Sequence, residues 1–239
     1  MSGVFIAAFL VKLNLFGKRD FDYFILVSAC IFAFGFIGAR ALFVMVTPSI
    51  SLVEGLTMRG GFVFYGGLIG GVFGYFLGIM LSRIPLTSFM DVYAAVIPFI
   101  HAFGRIGCYF AGCCYGFPHQ SFLSLPWNKV PGGHEEDVAY FPLQLLEASL
   151  LLCISFIVWF TQRKIDFSKK RYIPFLIYTS LYSVLRFVLE FFRGDAYRGV
   201  NVALNLSVSQ IISISIFVVS LAIIIGSILK SPKKSTVCE

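Results

Sequence analysis

The sequence predicts an all-α, polytopic membrane protein with about seven transmembrane helices. The chain of 239 residues is 58% hydrophobic and only 13% charged, whereas a soluble domain carries about 25% charged residues. The mean hydropathy of +0.87 also indicates a membrane protein. Because a helix needs about 20 apolar residues to cross a bilayer, this length accommodates about seven spans with short loops.

Seven apolar runs, each bounded by charge, proline or glycine, mark the predicted spans. They cover residues 2–16, 21–46, 61–81, 88–112, 141–160, 172–192 and 203–229. The first run is short for a crossing and is expected to be tilted, incomplete or partly interfacial. Lys12 interrupts it and no small-residue cleavage site follows, so no cleavable signal is expected. Without internal repeats, a single domain over 1–239 is the economical prediction.

The charges between the spans predict an orientation. Basic residues gather on alternate connections, as in 163–171 and 230–234, and these connections share one side if every run crosses. The positive-inside rule then predicts the N-terminus outside and the C-terminus in the cytoplasm. The net charge of +7 is explained by these loops rather than by nucleic acid. The longest outside segment, 117–140, holds helix-breaking prolines and an interface-type tryptophan, and is expected to cap the bundle.

Arg105 is the first candidate functional residue. It lies in the run 104–116, which holds four glycines and three cysteines beside a long apolar segment. A charge at membrane depth costs a few kcal/mol on insertion scales. A guanidinium in a glycine-lined pocket suits an anionic ligand such as a phospholipid phosphate. The structural alternative is an arginine that caps a helix end or extends to the interface.

A polar stripe on the sixth predicted span supplies further candidates. Tyr182, Arg186, Glu190 and Arg193 are spaced by four, four and three residues, which predicts one shared helix face directed into the bundle. The structural alternative is an Arg186–Glu190 pair that only locks helices together. Arg40, toward the outer end of the second span, is another charge at membrane depth.

A glycine-rich run at 60–71 surrounds Tyr65, and Gly66 and Gly67 follow it directly. Glycine lets a second backbone or a lipid approach closely, although glycine-rich helix contacts are common in membranes. The tyrosine hydroxyl can hydrogen-bond a headgroup or simply sit at the interface.

Three clustered cysteines, Cys108, Cys113 and Cys114, admit a metal site, a disulfide, a reactive thiol or simple packing. Their spacing lacks the paired Cys-x-x-Cys pattern or added histidines of zinc sites, so no metal is expected. A disulfide is permitted outside the cytoplasm, a neighbouring guanidinium would stabilise a thiolate, and packing is the default. Cys30 and Cys153 lie within apolar runs and are expected to be packed and slow to react.

Several sequence elements, in the same order, resemble the prolipoprotein diacylglyceryl transferase family over nearly the whole chain. Gly-Arg-Ile-Gly at 104–107 resembles the opening of the family signature. The stripe from Tyr182 to Phe-Phe-Arg at 191–193 resembles its Tyr-x-x-x-Arg-x-x-x-Glu-Phe-Phe-Arg helix. Further resemblances lie at Gly38-Ala39-Arg40, at 60–70, at the Pro-x-Gln-x-x-Glu pattern in 141–147 and at Ser209-Gln210.

Four polar positions of the family pattern are changed in this chain. Tyr65 stands where the family has histidine, and Cys108 where its signature has asparagine. Ala111 and Cys113 occupy the ends of the family's closing Asn-Gly-Glu. The phosphate-binding part is therefore expected to be intact, and the part nearer the acceptor thiol to be altered.

The resemblance implies transfer of a diacylglyceryl group from phosphatidylglycerol to the lipobox cysteine thiol of a prolipoprotein signal peptide, in the bacterial inner membrane. Arginine forks match phosphate oxygens, and Glu190 can hold Arg186 or move a proton. His101 can act as a base or be an ordinary core histidine with satisfied hydrogen bonds. The implied catalytic residues are Tyr65, His101, Arg105, Arg186 and Glu190. The implied substrate-binding residues are Arg40, Gly66, Gly67, Gly104, Cys108, Cys113, Gln144, Tyr182 and Arg193. No cofactor is implied.

Two other interpretations stay open at this point. One is a lipid-binding or assembly homologue that keeps the fold and has lost the chemistry, which the changed polar positions favour and the kept arginines oppose. The other is a thiol-dependent lipid transferase with a different acceptor, in which Cys108 or Cys113 carries the lipid group covalently.

Overall fold

The computed structural model describes residues 18–47, 63–119, 124–126, 139–167, 170–194, 200–201 and 206–229. Within these ranges the chain forms long helices joined by short loops and two small antiparallel strand pairs. The helices are α1 (Lys18–Val46), α2 (Phe64–Ser82), α3 (Met90–Ala111), α4 (Leu143–Lys164), α5 (Ile173–Glu190) and α6 (Val208–Leu229). The strands are β1 (Leu125–Pro126), β2 (Ala139–Tyr140), β3 (Val200–Asn201) and β4 (Leu206–Ser207).

All six described helices are long and apolar enough to cross a membrane. The prediction of an all-α polytopic membrane protein is therefore confirmed, and six of the predicted apolar runs coincide with these helices. The first predicted run, 2–16, lies outside the described residues. The count of seven spans, the orientation of the termini and the single domain stay predictions.

Helices α1 and α2 form a hairpin within one compact unit, Ala8–Phe89. The two backbones approach so closely that a Cβ on Gly38 would collide with the carbonyl oxygen of Gly66, and the reverse holds as well. Gly70 and Gly74 repeat this approach at intervals of four residues along α2. Small residues at this spacing let membrane helices pack by direct backbone contact.

Helices α3 to α6 belong to the other unit, here called the second unit, whose main described part begins at Met90. Its core joins Ala94 of α3 to Ile154 and Val158 of α4 and to Tyr178 of α5. A second cluster further along α3 holds Ala102, Ala148 and Leu151. The small alanine side chains on α3 allow α4 to approach closely, and the two helices stay in contact along the same faces over several turns.

Two helix ends in this unit follow recognised capping patterns. Helix α3 ends in a Schellman motif, in which Cys113 N–H donates to the Cys108 carbonyl at 3.1 Å and Gly112 N–H to the Tyr109 carbonyl at 3.2 Å. Gly112 has φ 68°, a left-handed conformation that glycine adopts without penalty. Helix α6 begins in a capping box: Ser207 N–H donates to Gln210 Oε1 at 2.9 Å, and Gln210 N–H donates to Ser207 Oγ at 3.2 Å.

Backbone hydrogen bonds tie the loop after α3 to the start of α4 and to the end of α5. Gly116 N–H donates to the Phe141 carbonyl at 2.9 Å, and Phe117 N–H donates to the Phe192 carbonyl at 3.2 Å. A bridge also pairs Gly116 with Arg193. The segment 117–140, predicted to cap the bundle, is described only at 117–119, 124–126 and 139–140, so that role stays a prediction.

Candidate active site

An ion pair joins α3 to α4 in the interior of the second unit. Arg105 Nη2 lies 2.9 Å from Glu147 Oε1, and the two side chains are 14% and 3% exposed. A full charge on each of two facing helices is stable in this setting only because the other charge compensates it. Arg105 Nε is nevertheless buried without a hydrogen-bond partner among the described residues.

A second ion pair lies on α5. Arg186 Nη2 donates to Glu190 Oε2 at 2.5 Å across one helical turn, and both side chains are almost fully buried. Arg186 Nη1 is buried and has no hydrogen-bond partner within the described part of the chain. Each guanidinium therefore has one side held by a carboxylate and a further N–H group that no described residue accepts.

Two aromatic rings lie close to the arginines of both ion pairs. The His101 and Tyr182 rings meet edge to face with centroids 5.2 Å apart. The charges of Arg105 and Arg186 both act on His101 and on Tyr182, whose hydroxyl also hydrogen-bonds Arg105. The structure thus brings together four of the predicted site residues from two helices: His101, Arg105, Tyr182 and Arg186.

Glu147 completes this group and was not among the predicted site residues. It is 2% exposed, and its charge acts on both Arg105 and Tyr182. A signal was available in the sequence, since an acidic residue within an apolar run needs a buried partner. The pattern alone could not name Arg105 as that partner, because it lies on a different helix.

The expectation that Arg193 shares a helix face with Tyr182, Arg186 and Glu190 is wrong. Helix α5 ends at Glu190, residues 191–192 form a turn, and Arg193 pairs with Gly116 in an isolated bridge. The chain leaves the helix after Glu190, so Arg193 does not continue the spacing of four, four and three residues. Arg193 instead reaches the cysteine cluster, where its side chain hydrogen-bonds Cys114.

The three clustered cysteines converge at the end of α3. The sulfur atoms of Cys108, Cys113 and Cys114 all lie within 4.8 Å of one another. Gln144, at 1% exposure, holds this loop by donating from Nε2 to the Cys113 carbonyl at 2.6 Å. The Cys108 thiol and then Arg193 lower the pKa of Cys114 through hydrogen bonds, whereas burial and then the charge of Cys114 raise the pKa of Cys113.

The remaining predicted site residues lie in different surroundings. A Cβ on Gly104 would meet nothing within 4 Å, so space is open beside the Arg105 turn. Arg40 is buried and Tyr65 is exposed, both within the helical hairpin unit. Gly66 and Gly67 face α1 in that hairpin. A substrate-binding role for these residues stays a prediction.

The exposure of one cysteine differs from the prediction. Cys153 is exposed on α4, so the expectation of a packed core residue is wrong. A cysteine in a transmembrane helix is compatible with a lipid-facing position as well as with a core position, and the apolar run around it does not distinguish the two.

These features define a class of protein: a polytopic helical membrane protein with two arginine–glutamate pairs buried around a shared aromatic pair. The sequence profile described as prolipoprotein diacylglyceryl transferase matches residues 1–226. The chain belongs to this family.

Individual relatives agree with the family match. A phosphatidylglycerol–prolipoprotein diacylglyceryl transferase from Clostridium tetani is 30% identical over 190 residues, which cover 78% of this chain and 74% of the relative. Phosphatidylglycerol–prolipoprotein diacylglyceryl transferase 2 from Clostridium perfringens is 29% identical over 195 residues, which cover 77% of this chain and 71% of the relative. One from Helicobacter pylori is 31% identical over 176 residues, covering 72% of this chain and 61% of that protein.

Proposed function

We propose that this chain transfers a diacylglyceryl group from phosphatidylglycerol to the thiol of a lipobox cysteine in a prolipoprotein signal peptide. The relatives' names supply the reaction. In this reaction a new carbon–sulfur bond replaces a carbon–oxygen bond of the lipid. Glycerol phosphate leaves with the electrons of that bond, and the thiol gives up its proton.

The observation that carries the proposal is the pair of buried, unused guanidinium donors. Arg105 Nε and Arg186 Nη1 have no hydrogen-bond partner among the described residues. Phosphate oxygens are the preferred ligands of guanidinium forks. An anionic headgroup between the two arginines would satisfy both donors and remove their desolvation penalty.

Glu147 and Glu190 act in this proposal as positioning residues. Each carboxylate contacts Nη2 of one arginine. The orientation of the remaining guanidinium N–H groups is therefore fixed before the lipid binds. Cationic donors fixed in advance stabilise the charge that develops on the leaving phosphate at little reorganisation cost.

The acceptor proton needs a route away from the thiol. His101 is the candidate base in the second unit, since imidazole is the side chain that most often serves in proton transfer. Its ring contacts Tyr182, which in turn hydrogen-bonds Arg105. Thiol activation would thus occur beside the phosphate-binding arginines, as a coupled departure of proton and phosphate requires.

The proposed partners are phosphatidylglycerol, the signal peptide of a prolipoprotein and the surrounding bilayer, and the proposed location is the bacterial cytoplasmic membrane. The six apolar helices support a multi-pass membrane protein. The protein's own cysteines are not needed as carriers in this scheme, because the substrate supplies the reacting thiol.

Release of the leaving group tests the proposal. Purified chain in phosphatidylglycerol vesicles should release glycerol phosphate only when a lipobox peptide with an intact cysteine is present. The matched control peptide carries serine at that position. Release that does not depend on the peptide cysteine would contradict transfer to a thiol and indicate lipid hydrolysis instead.

A further inference from the structure

The proposed transfer reaction gives no role to the three thiols that converge at the end of α3. Two of them are explained by local structure. A Schellman motif ordinarily brings its first and last side chains into hydrophobic contact, and here those positions are Cys108 and Cys113. Two small sulfur-containing side chains can fill that contact without any further function.

The third thiol is not explained in this way. Cys114 follows the motif with φ 62°, a left-handed backbone conformation that is costly for a residue with a side chain. This conformation returns its sulfur to the other two, so that all three lie within 4.8 Å of one another. A packing role alone would be met equally well by two thiols and a residue in an ordinary conformation.

We propose that Cys108, Cys113 and Cys114 form a binding site for one Cu⁺ ion at the C-terminal end of α3. Thiolates are the soft ligands that Cu⁺ prefers. Metal–sulfur bonds of about 2.3 Å in a trigonal plane place the sulfur atoms about 4 Å apart, so the ligands need only small side-chain movements. The thiols bind as thiolates and release their protons to the surroundings.

The ligand number and the surrounding charges favour Cu⁺ over Zn²⁺. Among the described residues, no histidine, aspartate or glutamate joins the three cysteines, whereas structural zinc sites are almost always four-coordinate. Three thiolates with Cu⁺ carry a net charge of −2. The charges of Arg193 and Arg105 both act on Cys114 and would offset part of this negative charge.

The loop that carries the site is held from outside the cluster. Gln144 of α4 fixes the Cys113 carbonyl, and the bridge between Gly116 and Arg193 fixes the chain just after Cys114. Cys108 therefore lies on the last turns of α3, and Cys113 and Cys114 lie on a loop anchored to α4 and to the end of α5. A preorganised loop of this kind lowers the entropy cost of metal binding.

Titration of the full-length chain with Cu⁺ tests this site. The protein, with Cys238→Ser to remove the tail thiol, is purified in detergent under reducing, oxygen-free conditions and competed against a chromophoric Cu⁺ chelator. We expect one Cu⁺ per chain, and Cys108→Ser or Cys114→Ser should weaken binding by at least about tenfold. The matched controls are Cys30→Ser and Cys153→Ser, which should leave the affinity unchanged. Binding that is absent, or that none of the cluster substitutions weakens, would overturn the proposal.

A second measurement needs no cluster variant and so does not depend on how well the variants fold. Bound Cu⁺ should protect all three cluster thiols of the Cys238→Ser protein from alkylation, mapped by peptide mass spectrometry, while the extent of alkylation of the exposed Cys153 should not change. Unchanged alkylation of the cluster in saturating Cu⁺, or a disulfide between two of its thiols in the protein as isolated, would also overturn it. Neither readout uses transfer activity, so the result is independent of the proposed function.

Discussion

Arg105 on α3 and Glu147 on α4 form a nearly buried ion pair, with 2.9 Å between Nη2 and Oε1. The pair connects the two helices at the depth of the candidate active site. Removing one partner of a buried pair leaves an uncompensated charge, which costs far more than loss of an exposed pair. Glu147 is therefore expected to matter both for stability and for the direction of the Arg105 guanidinium.

Glu147→Gln tests this role with an almost isosteric change. We expect it to destabilise the protein by about 3 kcal/mol. We also expect the transfer rate to fall by about tenfold or more, because the charge-assisted contact that orients Arg105 is lost. Thermal unfolding in detergent and the rate of peptide modification are the measurements. Asp166→Asn, the same acid-to-amide change at an exposed position, serves as control. Equal behaviour of the two variants would contradict the assigned role.

Arg186→Lys separates charge from geometry. Lysine keeps the positive charge but loses the planar fork that holds Glu190 and a phosphate oxygen together. We expect the rate to fall about tenfold or more, with a higher phosphatidylglycerol requirement. The matched control is Arg163→Lys, since Arg163 is exposed and its guanidinium lies 4.6 Å from the Trp159 ring centroid. Full activity of Arg186→Lys would show that a point charge suffices.

Sequence patterning could predict the spans and the polar residues within them, because apolar runs and isolated charges carry strong signals. It could not predict which charges pair. Arg105 and Glu147 lie on different helices, and their contact depends on how α3 and α4 pack. The position of Arg193 was mispredicted for a related reason: α5 ends at Glu190, and Arg193 lies in a backbone bridge to Gly116 that the helical spacing does not reveal. Cys153 shows that hydropathy does not distinguish lipid-facing from core residues.

Gly38→Ala tests the close approach of α1 and α2. The added methyl group would collide with the Gly66 carbonyl oxygen, which belongs to a helix backbone and cannot rotate away. Overpacking of this kind costs about 1–3 kcal/mol, so the thermal unfolding temperature should fall. Gly226→Ala, on α6 with nothing within 4 Å of its Cβ position, should not lower it. An unfolding temperature that Gly38→Ala leaves as high as Gly226→Ala does would contradict the packing described for the hairpin.

Cys113→Ser tests whether the protein's own thiols take part in transfer. We expect full transfer activity in metal-free buffer, because the peptide supplies the reacting thiol and no covalent carrier is required. Loss of activity in Cys113→Ser, when the variant still inserts into the membrane and binds phosphatidylglycerol, would favour the covalent-carrier interpretation. Mass spectrometry of the intact protein during turnover provides the second check, since a carrier would hold a lipid adduct on Cys113 or Cys108.

The most direct test of the central claim is the mass of the acceptor peptide. Purified wild-type chain is incubated with phosphatidylglycerol that carries isotopically labelled acyl chains and with a peptide that spans a lipobox cysteine. The account predicts that the peptide gains the mass of one labelled diacylglyceryl group on its cysteine sulfur, and that Arg105→Ala abolishes the gain. An unmodified peptide, in the presence of wild-type protein that is folded and binds phosphatidylglycerol, would contradict the account and identify a lipid-binding homologue without the chemistry.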